Sequence, residues 1–162
     1  MAIEIEKKFL VKGSPWIGAP FQILHQGYIA KEGKATVRVR TSQTQAWLTI
    51  KGRTADKSFS RLECEYDIPL QDAETMLKEL ASSDIISKKR YTLIHQGFEW
   101  TIDVFDGNNE GLVLAEIELP SEDTKFELPT WAYREVTFDH RFSNSSLSKL
   151  PWSSFCGEFS DE

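Results

Sequence analysis

The sequence has little of what marks secreted, membrane-bound or nucleic-acid-binding proteins. Its 162 residues include only two cysteines, Cys64 and Cys156, which have neither zinc-site spacing nor enough partners for a disulfide framework. Reduced thiols in the cytoplasm are the simplest interpretation. No run approaches the roughly 18 apolar residues of a membrane helix, and the start, MAIEIEKKF, shows no signal peptide. We therefore expect a cytoplasmic protein with no membrane partner.

Positive charge is also in short supply. The chain has 19 Lys and Arg against 25 Asp and Glu, a formal net charge of −6, which argues against a nucleic-acid partner. There is no P-loop, no GxGxxG and no nucleophile elbow, and the three histidines show no metal-ligand spacing. With 40% hydrophobic and 12% aromatic residues the chain is long enough and apolar enough for one packed domain. We place this domain at residues 1–152, with a loosely held tail at 153–162.

What the sequence does contain is alternation. Polar and apolar residues alternate with a period of two, which predicts β-strands, in segments 3–11, 25–29, 36–40, 46–53, 60–68, 85–94, 98–105 and 112–119. Turn-forming residues at 95–98 and 106–111 predict hairpins. The expected fold is mainly β (α+β): a closed antiparallel eight-stranded β-barrel with a few short flanking helices.

Three helices are predicted between or after the strands. Residues 72–81 carry apolar side chains on one helical face, with Asp72 as a plausible N-cap. A second short helix could begin after Ser121, and a third after Asn144, with Leu147 and Leu150 facing inward. Residues 13–20 read as a loop.

The polar strand positions form same-sign pairs two residues apart. Side chains at i and i+2 share one face of a strand and lie about 6.5 to 7 Å apart, so like charges there repel unless an opposite charge lies between them. The pairs are Glu4/Glu6, Arg38/Arg40, Lys51/Arg53, Glu63/Glu65, Lys88/Arg90 and Glu116/Glu118. Any one pair alone is better explained as a solvated strand face. Six pairs with segregated signs favour an inward-facing arrangement.

The chemistry of an inward-facing arrangement is specific. Collected carboxylates suit Mg²⁺ or Mn²⁺, which prefer oxygen ligands. Paired Arg and Lys suit a phosphate chain, because Arg grips its oxygens bidentately and Lys acts as a point charge. Burying these ions without a ligand would cost several kcal/mol each. The pattern therefore predicts a wet cavity that holds a metal–polyphosphate complex.

At this point the sequence resembles a known family. The opening EIEKK is similar to the ExExK signature of the CYTH proteins, also called triphosphate tunnel metalloenzymes. The resemblance continues through QGY (26–28), RxR (38–40), TIKG (49–52), ExE (63–65), KKRY (88–91), IDVFDG (102–107), ExE (116–118) and EVTFDHRFSN (135–144). The whole resembles the small bacterial branch, which hydrolyses inorganic tripolyphosphate.

The resemblance implies roles for individual residues. The metal ligands it implies are Glu4, Glu6, Glu116 and Glu118, with Glu63, Glu65 and Asp103 helping with a second ion or its waters. The triphosphate-binding residues it implies are Lys8, Arg38, Arg40, Lys51, Lys88 and Arg90, with Arg53 and Arg141 as further candidates. Together with Glu4 and Glu6, the first six of these basic residues form the expected catalytic set. The expected cofactor is Mg²⁺ or Mn²⁺.

Several alternatives remain open at the level of sequence. The same family includes class IV adenylyl cyclases and thiamine or nucleoside triphosphatases, and a non-catalytic polyphosphate- or nucleotide-binding module is a candidate of another class. No residue set specifies a nucleobase, which favours the smaller substrate, and plain binding would need mostly the basic residues. The expected partner is a small molecule, tripolyphosphate or an organic triphosphate, and the protein is expected to be a monomer or a homodimer.

Overall fold

A computed structural model of the chain describes residues 2–31, 33–52, 59–82 and 84–159. The strands within these residues are β1 (Ala2–Val11), β2 (Phe21–Ala30), β3 (Ala35–Thr41), β4 (Ala46–Gly52), β5 (Ser60–Ile68), β6 (Ile86–His95), β7 (Phe98–Phe105), β8 (Val113–Glu118) and β9 (Ala132–Glu135). The helices are α1 (Leu70–Glu79) and α2 (Asn144–Leu147). Single 3-10 turns occupy Gly107–Asn109, His140–Phe142, Trp152–Ser154 and Cys156–Phe159.

The first eight strands close into an antiparallel ring. Their order is β1-β5-β4-β3-β2-β6-β7-β8, and β1 closes it by pairing with β5 along 2–5 and with β8 along 6–10. This confirms the predicted closed eight-stranded architecture. Strand β9 was not predicted: four residues are too few to show a period. It pairs with β1 along 9–11, beyond the end of β5.

Apolar side chains cover the outside of the ring on two sides. Around Trp100, which is fully buried, outward residues of β1, β7 and β8 pack against aromatic residues of the loops, including Trp16 and Phe126. On the other side α1 lies over β2 to β4. Gly27 permits this approach, because a Cβ there would lie 2.8 Å from Ile85 Cδ1 and 3.0 Å from Leu77 Cδ2.

A third apolar cluster fills one end of the ring interior. Leu10, Leu114 and Phe105 each lie two residues along β1, β8 and β7 from a residue that faces the ring interior. Their side chains therefore face the interior as well. They pack against Phe142 and Leu147 of the C-terminal segment. We call this cluster the plug; its members are Leu10, Ile86, Phe105, Leu112, Leu114, Val136, Phe142, Leu147, Phe155 and Phe159. It leaves the rest of the interior to polar side chains.

The helices differ in detail from the prediction. Helix α1 begins at Leu70, two residues early, and Pro69 rather than Asp72 occupies its N-cap, so the predicted cap is wrong; proline fixes the backbone at the start of the helix. Residues 121–124 form a turn closed by Thr124 N donating to Ser121 O, so the predicted second helix is also wrong. The third helix exists as α2, capped by Ser143. None of the helices in the described ranges is both long and apolar enough to cross a bilayer.

The end of the chain is packed more closely than expected. Leu147 is buried as predicted, but Leu150 is 48% exposed. We expected a loose tail from residue 153, whereas Phe155 and Phe159 join the plug. The aromatic residues are four apart in the sequence, and each makes an edge-on contact with Phe142. The described part of this segment, 153–159, is therefore part of the core.

Candidate active site

A charged cavity occupies the ring interior above the plug. It has a volume of about 190 Å³, and charged side chains reach it from β1, β3, β4, β5, β6 and β8. Its charged lining residues are Glu4, Glu6, Lys8, Arg38, Arg40, Lys51, Arg61, Glu63, Glu65, Arg90, Glu116 and Glu118. Tyr28, Thr36, Ser143, Asn144 and Ser145 complete the wall. The period of two on each strand places these side chains on the inner face.

Three carboxylates in this cavity form a possible metal site. Oxygen atoms of Glu4, Glu6 and Glu118 lie within 4.8 Å of one another, and across the described ranges no other acidic, His or Cys trio does so. The register explains the geometry: Glu6 stands directly opposite Glu118 in the β1–β8 pair, and Glu4 is two residues along. Oxygen donors of this kind suit a hard divalent cation.

Two of the three carboxylates, Glu6 and Glu118, lie in surroundings that disfavour their negative charge. Burial, with Glu116 and Glu4 nearby, raises the pKa of Glu6 to about 8. Burial and the charges of Glu4 and Glu116 also raise the pKa of Glu118. In both cases the ionised carboxylate is disfavoured by its surroundings. A bound cation would remove that penalty, so the donor set fits a metal ion.

Glu4 has a different environment from its two neighbours. Burial works to raise the pKa of Glu4. The positive charge of Lys51, a hydrogen bond with Glu63 and the positive charge of Arg61 together outweigh burial, and they lower this pKa below its usual range. Lys51 Nζ lies 2.9 Å from Glu4 Oε2, and Arg61 Nε lies 3.1 Å from Glu4 Oε1. Glu63, 3.4 Å from Lys51 Nζ, is held in the same group. Glu4 is therefore the carboxylate of the trio whose ionised form is stabilised by its neighbours.

A buried ion network supports the opposite wall. Both oxygens of Asp103 accept from Arg90, at 2.7 and 2.8 Å, and Oδ2 also accepts from Lys88 Nζ at 2.7 Å. Burial works to raise the pKa of Asp103, but Arg90 and Lys88 outweigh it and hold the pKa at about 2. Lys88 also donates to Asn144 Oδ1 at 2.9 Å, which ties α2 to β6 and β7. Asp103 thus fixes Arg90 with its side chain toward the cavity.

Most of the residues predicted for the site meet in this cavity, and a few do not. The sequence predicts Asp103 as a metal ligand and Lys88 as a triphosphate ligand. Both side chains instead lie behind the cavity wall, where they bind each other. Arg141 is not among the lining residues; its guanidinium pairs with Asp139 and Glu158. Arg53 lies outside the described residues.

The cavity also includes residues that were not predicted. Arg61 shares the inner face of β5 with Glu63 and Glu65, and the alternation in 60–68 already placed it there. The search for same-sign pairs does not select Arg61, because the residue two positions along the strand is Glu63. Tyr28, which belongs to the QGY segment but to none of the charged pairs, is 6% exposed and lines the wall. Asn144 comes from α2, and no period or spacing signalled its approach.

Comparison with known proteins agrees with this geometry. Residues 2–153 match the CYTH domain. The chain is 45% identical over 156 residues to a protein of Acetivibrio thermocellus named inorganic triphosphatase, covering 96% of this chain and 99% of that one. It is 34% identical over 149 residues to a protein of Nitrosomonas europaea with the same name, covering 90% and 96%.

A solved structure of an inorganic triphosphatase shares the fold, with a TM-score of 0.65 at 32% identity, covering 90% of this chain and 97% of that one. The domain match takes in all nine strands and every residue that lines the cavity. The chain belongs to the CYTH domain family.

Proposed function

We propose that this chain is a divalent-metal-dependent triphosphatase that hydrolyses inorganic tripolyphosphate to diphosphate and phosphate. The observation that carries this proposal is the acidic trio, Glu4, Glu6 and Glu118, facing a wall of Arg and Lys inside one cavity. The names of the two relatives, at 45% and 34% identity over nearly the whole chain, support the same activity.

The charge balance of the cavity explains why metal and substrate would bind together. Its lining by the described residues includes six cationic side chains and six carboxylates, so this part of the wall is formally neutral when fully ionised. A triphosphate alone would add several negative charges, and a metal ion alone would leave the basic wall without an anion. A metal–triphosphate complex places opposite charge against both walls, which suits a site of mixed sign.

The metal is assigned to the acidic wall. Glu4, Glu6 and Glu118 would hold Mg²⁺ or Mn²⁺, and Glu63, Glu65 and Glu116 line the same cavity. When bound, such an ion supplies Lewis acidity and positive charge at the phosphate oxygens. Asp103 takes a supporting role instead, because both of its oxygens are already held by Arg90 and Lys88.

The basic wall would carry the substrate. Arg38, Arg40 and Arg90 offer guanidinium donors, which match phosphate oxygens in pairs, and Lys8 and Lys51 add point charges. In hydrolysis, water attacks the terminal phosphorus and the bond to the bridging oxygen breaks, with diphosphate leaving. The cations neutralise charge on the oxygens of the transferred group, so positioning and electrostatics account for catalysis without a protein nucleophile.

The wall chemistry favours an inorganic substrate. Tyr28 contributes the one aromatic ring among the lining residues of the described chain, and the other side chains there are charged, hydroxyl or amide. A nucleobase or thiazole ring would bring apolar surface against these groups and leave their donors and acceptors unpaired. Tripolyphosphate presents oxygen on every side.

Phosphate release from tripolyphosphate, ATP and thiamine triphosphate, measured side by side with Mg²⁺ and with Mn²⁺, tests the proposal. We expect tripolyphosphate to be the preferred substrate and activity to disappear in excess chelator. Full turnover in chelator would contradict the metal assignment. A clear preference for ATP or thiamine triphosphate would contradict the substrate, and release of cyclic nucleotide from ATP would identify a cyclase.

We also infer a cytoplasmic location. Cys64 and Cys156 are both free thiols, and free thiols persist in reducing compartments.

A further inference from the structure

Arg40 differs from the other cations of the cavity. Within the part of the chain that the structure describes, each of the others has a carboxylate oxygen within 4.0 Å, and Arg40 has none. The pairs are Lys8–Glu6 (3.9 Å), Arg38–Glu65 (3.6 Å), Lys51–Glu4 (2.9 Å), Arg61–Glu4 (3.1 Å) and Arg90–Asp103 (2.7 Å). Among the described cations of the cavity, Arg40 is therefore the one whose charge has no direct counterion.

A neutral side chain holds Arg40 instead. Gln26 stands directly opposite Arg40 in the β2–β3 pair, and Arg40 Nε donates to Gln26 Oε1 at 2.9 Å. The Gln26 side chain is completely buried, so water does not compete for this bond. An amide oxygen orients a guanidinium as a carboxylate does, but adds no negative charge.

The orientation of the Gln26 amide follows from chemistry. Every guanidinium nitrogen is a donor, so only the amide oxygen can face Arg40 Nε. Gln26 Nε2 is left without a hydrogen-bond partner among the described residues, as is Arg38 Nε on the neighbouring strand. A buried donor with no partner is unfavourable. These two donors lie on the two strands that carry Gln26 and Arg40, the cation without a direct counterion.

The local electrostatics agree with this description. Burial, with Arg38 and Arg90 nearby, lowers the pKa of Arg40 to about 9, although Asp103 works in the opposite direction. The surroundings thus disfavour the charge on Arg40. An anion in the cavity would reverse this effect.

We propose that Gln26 is a positioning residue, which holds Arg40 toward the cavity while leaving its charge uncompensated for the terminal phosphates of the substrate. The inference rests on the proposed function and assigns a role to the first residue of the QGY segment. It explains why the residue here is an amide. A carboxylate would orient Arg40 and neutralise it, and an apolar residue would leave it without support.

Two substitutions separate these effects. Gln26→Glu keeps an acceptor for Arg40 but adds a charge, and Gln26→Met keeps the volume but removes the acceptor. We expect each to raise the KM for tripolyphosphate by about tenfold or more, with a smaller change in kcat. Gln71→Glu, on the exposed first turn of α1, adds the same charge outside the ring and is the matched control; it should leave KM unchanged.

The decisive measurement repeats both substitutions in an Arg40→Ala background. Binding of tripolyphosphate in calcium is followed by calorimetry, so that the test does not depend on turnover. If Gln26 acts through Arg40, Gln26→Met weakens binding in the wild-type background and by less than about twofold in the Arg40→Ala background, and Gln26→Glu weakens binding less in the Arg40→Ala background than in the wild type. Equal losses in both backgrounds, or lower thermal stability with unchanged KM and binding, would overturn the proposal. Binding in calcium by a wild-type protein that hydrolyses no tripolyphosphate with Mg²⁺ or Mn²⁺ would contradict the proposed function and still test Gln26.

Discussion

Glu4 and Glu118 belong to the same acidic trio but have opposite electrostatic settings. Lys51 and Arg61 hold the Glu4 carboxylate, whose pKa is lowered, so the folded state favours its ionised form. The pKa of Glu118 is raised by burial and by its acidic neighbours, so the folded state disfavours its ionised form. The two glutamates therefore contribute to metal-free stability with opposite signs.

We predict that Glu4→Gln destabilises the metal-free protein by about 3 kcal/mol, because it leaves two partly buried cations, Lys51 and Arg61, without their nearest carboxylate. For a chain of this size that corresponds to a fall in Tm of about 6–12 °C. Glu118→Gln should leave Tm unchanged or raise it, since it removes a repelling charge. Thermal melting in chelator at neutral pH measures both. Both variants should lose activity.

The pH dependence gives an independent check. A lowered pKa contributes stability above the unfolded-state value that is lost as pH falls through the folded-state value. The cost of Glu4→Gln should thus shrink in acid. A raised pKa has the reverse effect, so any gain from Glu118→Gln should also disappear in acid, where Glu118 is protonated anyway. Equal melting shifts for the two variants at neutral pH would contradict this view of the trio.

Which residues face the cavity could be predicted from the sequence because strand alternation is strict. The pairs on β1, β3 and β8 all line it. The environment of each charge could not be predicted, since it depends on which strands are neighbours. Lys88 is withdrawn behind the wall because β7 brings Asp103 to it and α2 brings Asn144.

At the scale of elements, the C-terminal segment matters for its position at the end of the ring. We predict that Phe159→Ala lowers the free energy of unfolding by about 3–5 kcal/mol, because its ring is buried in the plug. Leu150→Ala, at a 48% exposed leucine of the same segment, is the control and should cost far less. Urea denaturation measures both. Similar small losses would show that the plug does not need the tail.

The packing of α1 and of the segment after it against β2 depends on the absence of a side chain at Gly27. In Gly27→Ala the new methyl would lie 2.8 Å from Ile85 Cδ1 and 3.3 Å from Ala81 Cβ, which should cost about 1–2 kcal/mol. Ile85→Val removes the nearer atom and should recover part of that loss. Gly52→Ala is the control, since its nearest contact would be an ordinary 3.6 Å. Melting curves of the four proteins give the comparison; no rescue by Ile85→Val would contradict the steric explanation.

The elements themselves could be predicted to different degrees. Long alternating segments predicted strands in the right places, because the strands have an apolar outer face and, away from the plug, a polar inner face. The start of α1 was missed because Pro69, not a polar cap, sets it. The packed tail was missed because aromatic residues four apart, Phe155 and Phe159, indicate a core only once the open end of the ring is known.

The whole molecule is a ring whose interior is apolar at one end and charged in the remainder. The plug closes one end with apolar side chains, and the cavity holds charges of both signs drawn from six strands. A ligand that contacts several strands at once would tie the ring together, whereas a ligand that reaches one strand would not. Ligand size should therefore control stabilisation as strongly as ligand charge does.

This difference leads to the last prediction. In calcium, which we expect to support binding while slowing hydrolysis, tripolyphosphate should raise Tm far more than monophosphate at the same concentration. A ligand that binds only the folded state contributes about 2.7 kcal/mol at a hundred times its Kd.

Arg38→Ala should remove most of the tripolyphosphate shift, because Arg38 is a 7% exposed cation of the cavity wall. Arg141→Ala should preserve the shift, because Arg141 pairs with Asp139 and Glu158 away from the cavity lining. Equal shifts for the two anions, or a full shift in Arg38→Ala, would mean that the basic residues do not form one continuous site. Loss of the shift in Arg141→Ala would support the sequence-based prediction that Arg141 binds the triphosphate.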